Sequence, residues 1–145
     1  MQRSSLIVDA SVVVKWILPE EGHEEAIRIQ QRYQDEEIDV FAPYLLASEV
    51  ANVLWKRARR GDLSAHAAER CFQQFLNDSP VLLDSAAVSA SALSLSLAHG
   101  HPVYDCLYLA WALDQRCDLI TADEKFFHAL RTAFPCIQLL RTFQS

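Results

Sequence analysis

Four acids in this 145-residue sequence stand where a folded chain can use them: Asp9, Glu49, Asp105 and Asp123. Asp9 follows the apolar run Leu6-Ile7-Val8, and Asp123 follows Leu119-Ile120-Thr121-Ala122. Glu49 lies within the periodic stretch Tyr44 to Arg60, and Asp105 within the nearly all-apolar stretch Val103 to Leu113. Each acid has an ordinary structural role open to it. Asp9 and Asp123 precede helical patterns and could cap them by accepting free backbone N–H groups; taken alone, the stretch around Asp9 favours that role. Asp105 could serve the first turn of its helix, and Glu49 could simply be solvated. The other possibility is that the four meet. Carboxylates gathered in one pocket repel unless divalent cations neutralise them, and an oxygen-only donor set selects Mg²⁺ or Mn²⁺. Such a site activates water and stabilises both oxygens of an in-line phosphoryl displacement. Asp105 is the most informative member, because an unpaired acid in an apolar helix costs several kcal/mol. The helix dipole recovers only about 0.3–1 kcal/mol of that.

The elements that would carry these acids alternate between strand and helix. Leu6-Ile7-Val8 reads as a strand covered on both faces, followed by helical turns through Ile17. His23 to Glu36 is an amphipathic helix, Asp39 to Pro43 a strand, and Tyr44 to Arg60 a long helix stopped by Gly61. In that helix Leu46, Val50, Val53, Leu54 and Arg57 share one side, Glu49 stands on its shoulder, and Trp55 projects from the opposite side. Ser64 caps the next helix, whose apolar side is Cys71, Phe72, Phe75 and Leu76. Pro80 to Asp84 is a third strand. Ala86 to Ala98 is predicted to be a buried helix, despite the strand-like alternation of Leu93 to Leu97. His99-Gly100-His101-Pro102 is a loop, Val103 to Leu113 a deeply buried helix, and Asp118 to Asp123 a strand ending in an acid. Glu124 to Phe134 is a helix and Ile137 to Leu140 a closing strand. This order predicts an α/β fold, with a parallel sheet of about five strands between two helical layers and one domain over residues 1–145.

Composition removes several alternatives. With 51% hydrophobic and 22% charged residues the chain is globular, and no apolar run reaches the ~18 residues of a membrane span. No signal-peptide pattern opens the sequence, so a cytoplasmic protein is expected. Cys71, Cys106, Cys117 and Cys136 are scattered and read as buried free thiols. Gly22, Gly61 and Gly100 are the only glycines, which excludes a P-loop and a dinucleotide fingerprint. There is no G-x-S-x-G elbow, and the zinc-protease pattern begun at His23-Glu24 fails at Ile27. His99 and His101 lack a suitably spaced third ligand, and a solvated loop is the simpler reading. A net charge of −6 supplies no general attraction for a polyanion.

Four motifs carry a resemblance that covers the chain nearly end to end. They are Ile7-Val8-Asp9-Ala10-Ser11, Ser48 to Leu54 around Glu49, Tyr104 to Ala110 around Asp105, and Leu119 to Phe126 around Asp123. In order and separation the sequence resembles the PIN-domain ribonuclease family, specifically VapC-type toxins of toxin–antitoxin pairs. The resemblance implies a PIN-like three-layer α/β/α fold and a Mg²⁺- or Mn²⁺-dependent endoribonuclease. It implies that Asp9, Glu49, Asp105 and Asp123 form the catalytic, metal-holding site, with Asp9 and Asp105 the most consistent ligands. Ser11 and Thr121 would orient water or carboxylates, and Asn52 would be an outer donor. Cys106 stands where such proteins usually have Ala.

RNA is the expected substrate, with a cognate small antitoxin and a homodimer as the expected assembly. Lys15 could hold phosphate, and Lys56, Arg57, Arg59 and Arg60 could contact RNA backbone. Cations at a helix C-terminus equally serve the dipole and solubility. Apolar grooves near the long helices, including Trp55, are the candidate antitoxin surface, and the antitoxin is expected to block the acidic site with a basic residue. Two rivals remain: a PIN scaffold used only for binding, and a phosphohydrolase acting on small phosphate esters.

Overall fold

Leu6, Ile7 and Val8 are buried because β1 (Ser4–Val8) is the middle strand of a five-stranded sheet. The computed structural model describes residues 2–144. From β1 the chain forms α1 (Ala10–Ile17) and α2 (His23–Gln34) and returns as β2 (Ile38–Pro43), parallel to β1 with Leu6 beside Val40. Helices α3 (Leu45–Arg59) and α4 (Ala65–Asn77) lead to β3 (Val81–Leu83), outside β2. A 3₁₀ turn (Ser85–Val88), α5 (Ser89–His99) and α6 (Val103–Gln115) carry the chain back across to β4 (Asp118–Thr121). β4 pairs with the free side of β1, placing Ile7 beside Leu119 and Val8 beside Ile120. Then α7 (Glu124–Leu130) and β5 (Ile137–Leu139) finish that edge, before a final 3₁₀ turn (Leu140–Thr142). The strand order is β3-β2-β1-β4-β5, all parallel.

Helices α1 to α4 pack with one another, while α5 packs on α6 and α6 crosses β1, β2 and β4. Right-handed crossovers put these two groups on opposite faces, since the direction of strand addition reverses after β3. The expected three-layer α/β/α architecture is present. The main core gathers Ile7, Val12, Val13, Leu46, Val50, Leu54, Phe75, Leu109 and Ile120 between the layers. The long-helix pattern also holds, with Leu46, Val50 and Leu54 buried and Trp55 54% exposed. Ser64 caps α4, its Oγ accepting the Ala67 N–H at 3.0 Å.

Three expectations change. The segment predicted as a buried helix is helical, but within α5 only Ala92 is buried; Leu93 and Leu97 are 51% and 78% exposed. Leu and Ser alternate along α5, so helical geometry spreads the leucines around it instead of onto one face. The last helix ends at Leu130, four residues short of Phe134, where the chain turns towards Pro135 and β5. The four cysteines are free, yet only Cys106 is buried, the others being half-buried. No helix among the described residues is long and apolar enough to cross a membrane.

These placements predict unequal responses to truncation. Leu109→Ala should cost about 2–5 kcal/mol in urea unfolding, as a fully buried leucine loses contacts on every side. Leu97→Ser should stay within about 0.5 kcal/mol of the parent. Equal losses would contradict the exposed setting of α5.

Candidate active site

Because strands are added to opposite sides of β1, the carboxyl ends of β1 and β4 open a crevice of the kind in which α/β sheets bind ligands. Asp9 leaves β1 at that point and is 8% exposed. The capping role weighed for it is observed. Its Oδ1 accepts the Val12 N–H at a long 3.3 Å, as the cap of α1, and the Ser11 hydroxyl at 2.5 Å. Its Oδ2 accepts the Thr121 hydroxyl at 2.5 Å. Ser11 Oγ in turn accepts the Ala122 N–H at 2.8 Å, and Thr121 Oγ1 accepts the Asp123 N–H at 3.0 Å. Two hydroxyls, of Ser11 and Thr121, thus tie the buried acid to the end of the neighbouring strand.

The second acid arrives from α3. Glu49 stands half-buried on the shoulder of that helix, and its Oε1 accepts the Tyr108 hydroxyl at 2.6 Å. The third, Asp105, occupies the first turn of α6, one turn before Tyr108, with Oδ2 at 2.8 Å from His101 Nε2. The three acids sense one another's charge. Burial, and then the charges of Asp105 and Glu49, push the Asp9 carboxyl up to about 7 against the lowering effect of Ser11 and Thr121. Glu49 is raised by burial and by Asp105, against the Tyr108 hydrogen bond. Burial and the nearby Glu49 also push the Tyr108 phenol far up, so it stays a donor.

Asp123 is placed differently. It is exposed, and its Oδ1 accepts the Phe126 N–H at 3.1 Å as the cap of α7. It is not among the charges that raise Asp9 or Glu49. Asn52 is exposed on α3. Two of the cations considered for RNA are turned inward: Lys15 pairs with Glu20 at 3.0 Å, and Arg57 pairs with the same carboxylate. Burial favours protonation of Glu20, but hydrogen bonds from Arg57 and Lys15 outweigh it and hold the carboxyl below its usual range. Arg60 pairs with Asp62 at 2.9 Å, Arg59 lies 5.3 Å from the Trp55 ring centroid, and Lys56 is exposed.

Two members of the site lay outside the sequence reading. His101 is not in a solvated loop; its side chain is 12% exposed and its ring lies 5.1 Å from that of Phe126. Tyr108 counted in the sequence only as a polar tip on an apolar helix. Spacing supplied a signal for Tyr108 alone, three residues after Asp105 on the same helical face; His101 precedes the Pro102 cap of α6, where no periodicity speaks for it.

The donor set suits a hard divalent cation. Glu49 and Asp105 each have one oxygen held by a protein donor and another without a protein partner among the described residues. No three His, Cys, Asp or Glu side chains among the described residues close around a single point. An ion of the Mg²⁺ type requires no such cage, since it keeps several waters and takes one or two carboxylates. The mutual repulsion at Asp9 is the quantity such an ion would relieve.

Comparisons with known proteins place the chain in a family. The profile of the PIN domain matches residues 6–131. The sequence is 36% identical over 134 residues to Ribonuclease VapC3 of Pyrobaculum aerophilum, spanning 91% of this chain and 96% of that protein. The fold superposes on the crystal structure of PAE2754 from the same organism with a TM-score of 0.70 at 23% identity, covering 97% of this chain and 94% of that one.

The Asp9 shift carries a stability prediction for the metal-free chain. With a folded value near 7 against an ordinary 3.8, the folded state keeps a proton that the unfolded state releases. That contribution is complete below about pH 4 and is lost as pH rises through 7. Asp9→Asn, neutral throughout, should therefore stabilise the chain at pH 8 by on the order of 4 kcal/mol, relative to its effect at pH 4. Thermal melts in EDTA across that range check it; parallel pH profiles for parent and variant would contradict it.

Proposed function

Since the chain belongs to the PIN-domain family, with a VapC-type relative spanning nearly its whole length, we propose that it is a divalent-metal-dependent endoribonuclease acting as the toxin of a toxin–antitoxin pair. The observation that supports this reading is that Asp9, buried at the carboxyl edge of the sheet, lies within reach of the charges of Asp105 and Glu49. Asp9, Glu49 and Asp105 would hold Mg²⁺ or Mn²⁺, and Asp123 would contribute from the rim. A cation there supplies charge neutralisation and a nucleophilic water. The chain's own part is positional: Ser11 and Thr121 hold both oxygens of Asp9, and Tyr108 holds one oxygen of Glu49. The remaining carboxylate oxygens are left for metal and water. Asn52, exposed on α3, would act on bound substrate.

RNA backbone would approach along Lys56, Arg59 and Arg60, the cations of α3 and its C-terminus not tied to Glu20. Lys15 and Arg57 contribute less in this reading, because Glu20 offsets their charge. The antitoxin surface would be the apolar groove between α3 and α4, lined by Ala51, Leu54, Trp55, Ala58, Ala68 and Phe72, from which a basic residue could reach the acids. A homodimer, a single PIN domain over residues 1–145 and a cytoplasmic location complete the proposal.

The test is cleavage of total cellular RNA with Mg²⁺ or Mn²⁺, beside EDTA and Asp105→Asn. The expected result is metal-dependent cleavage that falls at least about a hundredfold in the variant while its fold persists. Equal cleavage by parent and variant would overturn the assignment of the acids. Hydrolysis of a nucleotide monophosphate but not of RNA would favour the phosphohydrolase.

A further inference from the structure

We propose that His101 is a positioning residue for Asp105, holding one carboxylate oxygen so that the other is presented to the cation. The proposal rests on the acids forming a divalent-metal site. Its geometric basis is the 2.8 Å contact between His101 Nε2 and Asp105 Oδ2, which leaves Oδ1 without a protein partner among the described residues.

The imidazole is fixed on several sides. Gly100 ends α5 in the left-handed conformation, φ +65, with its N–H bonded to the Ser96 carbonyl at 2.8 Å. That cap turns the chain sharply between α5 and α6. The Ser96 hydroxyl donates to the His101 carbonyl, and Pro102 caps α6 with its own φ restricted. The ring then leans on Phe126 of α7, at 5.1 Å between centroids and 33° between planes. Phe126 is itself buried, and its N–H is the group that Asp123 caps. The imidazole therefore links the first turn of α6 to the first turn of α7.

A ring with its proton on Nε2 satisfies this arrangement, because that N–H donates to Asp105 Oδ2. Hydrogen-bond donors behind a ligating carboxylate fix its orientation, and losing one typically weakens metal affinity by about 10–100-fold. His101 is a donor of that kind, and Tyr108 is its counterpart behind Glu49.

The test compares the full chain with His101→Ala and His101→Gln, the second keeping an amide N–H of similar reach. Mn²⁺ affinity is measured by calorimetry, with thermal melts alongside. His101→Ala should weaken Mn²⁺ binding by about tenfold or more. His101→Gln should bind close to the parent, and cleavage by the Ala variant should recover as Mn²⁺ is raised. Parent-like Mn²⁺ affinity in the Ala variant, or a folded Gln variant as weak as Ala, would overturn the role of His101 while leaving the acid site standing. A parent chain that binds Mn²⁺ no better than Asp9→Asn would overturn both. Should the Ala variant fail to fold, long-range ¹H–¹⁵N spectra of the parent at pH 8 decide the point. An Nε2–H tautomer supports the hydrogen bond, and a ring bare at Nε2 contradicts it.

Discussion

Burying the carboxylate of Asp9 at the end of the central strand is the constraint on which the remaining architecture depends. A lone buried charge is costly in an apolar interior, and this one has Asp105 and Glu49 near enough to raise its pKa further. Two hydroxyls and a long backbone contact compensate only in part, so the carboxyl stays near 7. Those hydroxyls have to be where they are. Thr121 reaches Asp9 because Val8 and Ile120 lie side by side in the β1–β4 register, and a slip of one residue would turn Thr121 to the other face of the sheet. The register of two apolar strands is thus coupled to the ionisation of one acid.

Helix α6 is the second determinant. It crosses β1, β2 and β4, and it brings both Asp105 and Tyr108 to the site on one face. Tyr108 spans the layers: its ring is buried in the core while its hydroxyl holds Glu49 of α3. Cys106, Leu107, Leu109, Ala110 and Ala112 are buried along the same helix, so its position is set by packing and not by the acids it carries. A rigid apolar scaffold holding mutually repelling groups is the usual origin of perturbed pKa values at functional sites.

Much of this was legible in the sequence. Apolar strands ending in acids marked Asp9 and the β4 segment, and the stripe through Leu46, Val50 and Leu54 put Glu49 on a shoulder facing the core. What could not be read was pairing at a distance. Spacing places Asp105 and Tyr108 on one helical face, but nothing local says that His101, from the loop before α6, turns back to Asp105, or that Glu49 or Phe126 lies opposite. The buried setting predicted for α5 failed because apolar content was taken for burial, and alternating Leu and Ser do not form a helical stripe. Asp123 illustrates the converse: the same strand-then-acid pattern caps a helix in both places, yet Asp9 is buried and Asp123 exposed, a difference the local pattern does not carry.

Asp9 is an acid that keeps its proton near neutrality, and a divalent cation bound beside it would offset the charges of Asp105 and Glu49 and displace that proton. The most direct measurement is proton release on Mn²⁺ binding, from calorimetry in buffers of different ionisation enthalpy at pH 6 and pH 9. The account predicts release approaching one proton per site at pH 6, where Asp9 holds its proton, and little release at pH 9. Binding without proton release at either pH would contradict it.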